Sequence, residues 1–268
     1  MLNEADFTLL AREVQTRTGA LISRDAAALI EGRLNPIARR EGYGSVTELI
    51  QAARVKADSK TWTDIAEGVV QTDTRFFRDR EIFKRVREEI LPALARAKAG
   101  GVIRIWSAGC GPGQEAYSLA MILDELRSEG GFAADLLATD MSERLLEKAR
   151  TGLFTQFEIQ RGLPIRKLIA YFEKAGDLWC ISDRLRASVK FQTHNLLSAP
   201  PAGEFDLIFC RHVLTQFEPT ARSAVLDRLA SALAPGGMLI LGAGEVGPAR
   251  LQARSDGCFV SGAGRRAA

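Results

Sequence analysis

Three glycines on alternate positions, in the run Ser107-Ala108-Gly109-Cys110-Gly111-Pro112-Gly113, make a loop whose backbone can turn tightly and approach a ligand without Cβ collisions. The spacing is G-x-G-x-G, not the G-x-G-x-x-G of dinucleotide binders, and Glu115 follows almost at once. A carboxylate there repels a pyrophosphate and suits a ligand that carries an amine or a sulfonium. Asp140 ends a short apolar segment further on. An acid at a strand end can accept hydrogen bonds from both ribose hydroxyls of an adenosine. Loop and acid together favour a nucleoside cofactor over a purely structural turn. Nicotinamide and S-adenosylmethionine both remain open, and Glu115 favours the second.

Two other clusters carry chemistry. In Thr72-Asp73-Thr74-Arg75-Phe76-Phe77-Arg78 the paired phenylalanines read as packing anchors for their polar neighbours. Arg78 then presents a rigid, permanently charged fork suited to a carboxylate. The segment Cys210-Arg211-His212-Val213-Leu214 follows an apolar run, where substrate-facing groups gather, and His212 is of the type that titrates near neutrality. His194 and Asn195 stand in a comparable place, although a lone histidine is more often structural.

The elements that must hold these residues change character along the chain. Before residue 100 the apolar residues (Phe7, Leu10, Val14, then Ala26, Leu29, Ile30, Leu34, Ile37) recur at helical spacing, and no strand signal is present. Ser23 and Ser45 are expected helix caps, and Arg54–Trp62 is polar enough to begin a linker. A helix from about Arg80 is expected to end at Pro92 and Gly100–Gly101. Strands are then expected at Val102–Trp106, Ala134–Thr139, Val189–Thr193, Phe205–Cys210 and Met238–Gly242, with helices at Glu115–Arg127, after Ser142, and at Thr220–Leu233. Strand–helix alternation predicts an α/β fold, a doubly wound and mostly parallel sheet preceded by a small all-α domain. The expected divisions are a helical domain at 1–68, a linker and helix at 69–100, the α/β domain at 101–262 and a frayed tail at 263–268. Ligands of such a sheet bind beyond the carboxyl ends of its strands, near the reversal of strand order.

Composition narrows the classes. Hydrophobic residues at 46% leave ample surface to bury, which excludes disorder as the dominant state. The longest apolar runs are strand-sized, so no membrane insertion is expected, and an acidic start without a cleavage site points to the cytoplasm. A net charge of +3 is too mild to argue for nucleic acid. Four scattered cysteines with no C-x-x-C pair and two histidines predict no metal site.

Read together, these residues resemble the CheR-type chemotaxis receptor methyltransferases. Thr74-Arg75-Phe76-Phe77-Arg78 is similar to that family's T-x-F-F-R, and Trp106–Ser118 to its W-S-A-G-C-S-T-G-E-E-P-Y-S loop. Gly32-Arg33-Leu34, Ala138-Thr139-Asp140, Ala149–Phe154, Tyr171-Phe172, Asn195-Leu196, Phe209–Leu214 and Gly242–Glu245 continue the likeness along nearly the whole chain. The resemblance implies the class I methyltransferase type of sheet and S-adenosylmethionine as cofactor. It implies contacts from Thr72, Thr74, Arg78, Gly109, Glu115, Asp140, Asn195, Leu196, Arg211 and His212, with Arg78 near the transfer centre, Glu115 on the methionine amine, Asp140 on the ribose and Asn195–Leu196 beside the adenine. The implied partners are the cytoplasmic helices of chemoreceptors, approached by a monomer, with Arg24, Arg33, Arg39 and Arg40 as docking charges.

Departures from the pattern are Gly111 and Pro112 for serine and threonine, Ala116 for proline, Thr72 and His212 for asparagines, and Gln216 for a tyrosine thought to align the reacting groups. The stretch Glu173–Val189 is short, as in members that work without a receptor tether. A non-catalytic adaptor that binds S-adenosylmethionine, a methyltransferase of another substrate class and, last, a nicotinamide dehydrogenase stand as alternatives.

Overall fold

The computed structural model describes residues 2–56, 59–70, 73–255 and 257–262. Thr72 and the expected tail lie outside the described residues. The chain divides into two compact units, Met1–Thr72 with Val213–Val225, and Asp73–His212 with Leu226–Ala268.

The first unit is helical: α1 (Glu4–Thr18), α2 (Ala27–Arg40), α3 (Val46–Lys56) and α4 (Ser59–Val69). The Asn3 side chain accepts from Asp6 N at 2.8 Å to start α1, and Gly19, at φ 75°, closes it in the left-handed region. Ser23 caps a 3₁₀ turn, Arg24–Ala26, which leads into α2, and Ser45 Oγ accepts from Glu48 N at 3.2 Å at the start of α3. Leu10, Val14, Ile30, Leu34, Leu49, Ile50 and Ile65 close one shared core. Of the expected linker at Arg54–Trp62, residues 54–56 end α3 and residues 59–62 begin α4, while residues 57 and 58 lie outside the described residues. The segment 213–225 packs with these helices, although its sequence reads as part of the α/β domain: Gln216 O accepts from Leu21 N at 2.8 Å, and Ala20 bridges Phe217.

The second unit opens with α5 (Arg80–Arg85), one π-helical turn (Val86–Ile90) and α6 (Leu91–Lys98). Pro92 therefore does not end a helix. It occupies the first turn of α6, behind a widened turn, where a residue without an N–H is tolerated. Then follow β1 (Ile103–Ala108), α7 (Gln114–Ser128), β2 (Ala134–Asp140), α8 (Glu143–Thr151), β3 (Leu153–Thr155), α9 (Gln156–Gln160), α10 (Ile165–Tyr171), β4 (Phe172–Ala175), β5 (Leu178–Ile181), α11 (Asp183–Ala187), β6 (Val189–Thr193), β7 (Phe205–Phe209), α12 (Pro219–Ser231, of which residues 219–225 count with the first unit), β8 (Leu233–Ile240), β9 (Gln252–Ser255) and β10 (Cys258–Val260).

The main sheet has the order β6-β2-β1-β7-β8-β10-β9. Its first five strands run parallel, and β10 and β9 add antiparallel. The chain leaves β1 toward β2 and β6 on one side and returns to β7 and β8 on the other, so strand order reverses between β1 and β7. The carboxyl ends of β1, β2 and β7 are thereby the place for a ligand. A second sheet, β3-β5-β4, is absent from the sequence expectation. Its β4–β5 hairpin turns on Gly176 and Asp177 alone.

Phe76 and Phe77 are both buried, as their pairing suggested. Phe76 meets Phe154 of β3 and Phe172 of β4 edge-on, at 5.0 and 5.7 Å between centroids, and so pins the small sheet beneath the Thr74–Arg78 segment. The turn between α9 and α10 closes on the same backbone. Gly162 has φ +103°, and a Cβ there would lie 2.2 Å from the Phe76 carbonyl oxygen. Gly162→Ala should therefore lower stability by about 1–3 kcal/mol in denaturant unfolding. Gly32→Ala, in open space on α2, should leave it unchanged or raise it by up to about 1 kcal/mol.

Candidate functional site

At the end of β1 the chain cannot continue straight. The amides of Gly109 and Cys110 both donate to the Thr139 carbonyl at the end of β2, at 2.8 and 2.9 Å, and fold the loop across the sheet edge. Gly109, Gly111 and Gly113 take φ of 75°, 54° and 94°, the left-handed region that favours glycine. Space is limiting as well: a Cβ on Gly113 would stand 3.0 Å from the Ala149 Cβ and 3.2 Å from the Tyr117 ring.

Asp140 grips this loop. One carboxylate oxygen accepts from Gly111 N at 2.8 Å and the other from Ser142 N at 3.0 Å. Ser142 in turn caps α8. Burial pushes the Asp140 carboxyl above its usual range, against the three backbone amides of Ser142, Gly111 and Met141 that favour the charged form.

Glu115, in the first turn of α7, accepts from Ser107 Oγ at 3.1 Å and from Arg211 Nη1 at 3.3 Å. Burial raises its pKa, and Arg211 and Ser107 offset only part of that. Burial, then the charges of Asp140 and Glu115, push the Cys110 thiol well above the ordinary range.

Arg211, just past β7, is a buried cation, its side chain 1% exposed. Its Nη2 donates to Asp79 Oδ2 at 2.5 Å, and its guanidinium lies 5.5 Å from the centre of the Phe83 ring. His212 Nε2 meets the same Asp79 oxygen at 2.8 Å, and its backbone N–H donates to Glu245 Oε2 at 3.1 Å, an oxygen that Gly242 N also holds at 2.5 Å. Burial raises the Asp79 carboxyl, but His212, Arg211 and Arg78 outweigh it and leave it below the ordinary value. Asp79 and His212 both have positive φ, 59° and 58°, where Asp, Asn and His are the side chains best tolerated.

Arg78 is placed differently from a free fork. Its Nη1 donates to the Asp73 carbonyl at 2.5 Å and lies 3.7 Å from the Asp73 carboxylate, which Arg161 also binds at 2.8 Å. Thr74 is half-buried. Asn195 forms a local turn, its Oδ1 accepting from Leu197 N at 3.0 Å, and Leu196 is buried. His194 meets the Trp106 ring edge-on at 5.7 Å between centroids, and burial lowers its pKa.

The structure thus gathers Glu115, Arg211 and His212 into one network, with Gly109 on the adjoining loop and Asp140 bonded to that loop from the end of β2. Sequence reasoning missed Asp79 and Ser107 as members. Asp79 follows the Arg78 fork directly, but its partners are 132 and 133 residues away. Among the described residues no group of three or more metal-ligating side chains is present.

A parallel sheet with this order, a glycine turn after β1 and an acid ending β2 is the arrangement of S-adenosylmethionine-dependent methyltransferases. The family model for the CheR methyltransferase, SAM binding domain, matches residues 72–255. Chemotaxis protein methyltransferase Cher2 of Pseudomonas putida is 33% identical, with 90% of each chain covered. Chemotaxis protein methyltransferase 1 of Pseudomonas aeruginosa is 34% identical over the same shares, and the chemotaxis protein methyltransferase of Vibrio parahaemolyticus is 32% identical over 91% of this chain and 90% of its own. The solved plantazolicin methyltransferase BpumL aligns loosely, at 17% identity and TM-score 0.37 over 74% of this chain and 58% of its own, and no conclusion rests on it. This chain belongs to the CheR methyltransferase family. S-adenosylmethionine is its cofactor and methyl transfer its chemistry.

The residues present fit that cofactor. A buried carboxylate whose ionisation is opposed by its surroundings gains from an arriving cation, and the residue bonded to Asp140 in the turn, Gly111, has no Cβ to obstruct a ligand. In carboxyl NMR titrations, Glu115 should titrate above the ordinary glutamate range in the free protein, because of its burial. Arg211→Gln should move that midpoint further up, since it removes the nearby cation. A midpoint that stays or falls in the variant would show that Arg211 does not stabilise the anion.

Proposed function

We propose that this protein transfers the methyl group to glutamate side chains of chemoreceptor cytoplasmic helices, acting in the cytoplasm as a monomer. The observation that carries this reading is the pairing of a buried Glu115 and a loop-gripping Asp140 at the carboxyl edge of the sheet, together with a family match over residues 72–255. Asp140 would hold the ribose, Glu115 the ammonium, Gly109 the loop's closest approach, and Asn195 with Leu196 the adenine. Thr74, Arg78, Arg211 and His212 would complete the wall; Thr72, assigned the same role, is outside the described residues.

The cofactor supplies a methyl group on a positively charged sulfur. An acceptor carboxylate forms the new C–O bond as the C–S bond breaks, leaving a methyl ester and a neutral thioether. A glutamate is ionised at neutral pH, so no general base is required of this chain. Its residues contribute alignment and exclusion of water instead. Arg78 would steer the acceptor carboxylate, exchanging its contact with Asp73 for one with the substrate.

Docking charge is more limited than the sequence suggested. Arg24 is committed to the carbonyls of Leu2 and Asn3 and to the Phe7 ring, Arg33 to the Val69 carbonyl, and Arg40 to Glu41 and Asp64. Arg39 is exposed and has no contact of this kind among the described residues. Rim charges of this sort raise association rates and fade with salt.

Incubation with labelled S-adenosylmethionine and chemoreceptor cytoplasmic fragments should place base-labile methyl ester on glutamate. Arg78→Ala should reduce that transfer by about 10²-fold or more. Cofactor binding without any transfer would favour the adaptor reading, for which the replacement of the family tyrosine by Gln216 is the motive.

A further inference from the structure

Arg211 lies between two carboxylates and is closer to the one that the proposed cofactor contacts leave out. Its Nη2–Asp79 distance is 2.5 Å, whereas its Nη1–Glu115 distance is 3.3 Å. The guanidinium is buried, so its position is decided by its partners and not by water. Asp79 is fixed in turn: the oxygen that takes Arg211 also takes His212 Nε2 at 2.8 Å, on a backbone held at φ 59°. Arg78 acts on the same carboxylate from its own segment.

We propose that Asp79 is a positioning residue for the cofactor's ammonium group: it draws Arg211 toward itself and so keeps the Glu115 carboxylate open to a cation. This rests on the reading that Glu115 receives the amine. Without a charge at position 79, the buried Arg211 has one carboxylate left, and it would close on Glu115 as a bidentate pair, filling the oxygens and cancelling the charge that an ammonium needs. The formal balance agrees. Two carboxylates (Glu115 and Asp79) contact the one buried guanidinium of Arg211, one negative charge in excess before His212 is counted. Neutralising Asp79 removes that excess.

The test compares two ligands that differ only in the amine: S-adenosylhomocysteine and its deaminated analogue, which keeps the nucleoside, thioether and carboxylate. Affinities are measured by calorimetry on the wild type, Asp79→Asn and Glu115→Gln. Asn tolerates the left-handed backbone at position 79 as Asp does. Asp79→Asn should cut the preference for the amine-bearing ligand by about tenfold, with the analogue's affinity unchanged within about twofold. Equal losses for both ligands would indicate a merely structural role and overturn the proposal, as would an unchanged preference. If Glu115→Gln leaves the preference intact, the assignment of the amine to Glu115 fails, and the proposal with it. If Glu115→Gln abolishes the preference and Asp79→Asn does not, the proposal alone fails.

Discussion

The Asp140 carboxylate, bonded on one side to the Gly111 amide and on the other to the Ser142 amide, ties the loop after β1 to the loop after β2. Those two loops leave adjacent parallel strands and have no ladder of their own to hold them. Each ordered amide there needs an acceptor, since a buried unpaired backbone group costs about 1–3 kcal/mol. One acid answers both, and Thr139 answers the amides of Gly109 and Cys110. The site's shape is thus set at a single junction, before any cofactor is considered.

The chemistry around that junction keeps charge where it is uncomfortable. Glu115 and Asp140 both have pKa values raised by burial, so in the free protein each resists the ionised form. A cation near Glu115 and hydroxyl donors near Asp140 relieve the two costs differently, one by charge and the other by hydrogen bonds. Arg211 lies in the same region and could cancel the first demand outright. Asp79 restrains it, and the Thr74–Asp79 segment, anchored below by Phe76 against Phe154 and Phe172, keeps Asp79 in register.

What was legible in the sequence was what is local. The glycine spacing, Glu115 and Asp140 stand at fixed distances from strand ends, and the strand–helix alternation placed them at the sheet's carboxyl edge. The edges of elements and the small sheet were not legible. Strands β3, β4 and β5 are three or four residues long, and Glu173-Lys174-Ala175 carries no strand-like composition. Pro92 looked like a terminator because a π turn ahead of it cannot be read from residue types. The His212 substitution becomes intelligible only with the backbone in view: the family's asparagine and this histidine share tolerance of positive φ. Asp79 escaped notice because its partners are distant in sequence, and the segment 213–225 joins the helical unit through backbone bonds that no pattern announces.

The central claim is that Asp140 and Glu115 divide a nucleoside cofactor between them, one taking the sugar and the other the amine. A crystal structure with S-adenosylhomocysteine tests this most directly. The account requires both ribose hydroxyls within hydrogen-bond distance of Asp140 and the amino nitrogen within hydrogen-bond distance of Glu115. A ligand whose sugar lies away from Asp140, or whose amine is held by backbone carbonyls and makes no contact with Glu115, would contradict it.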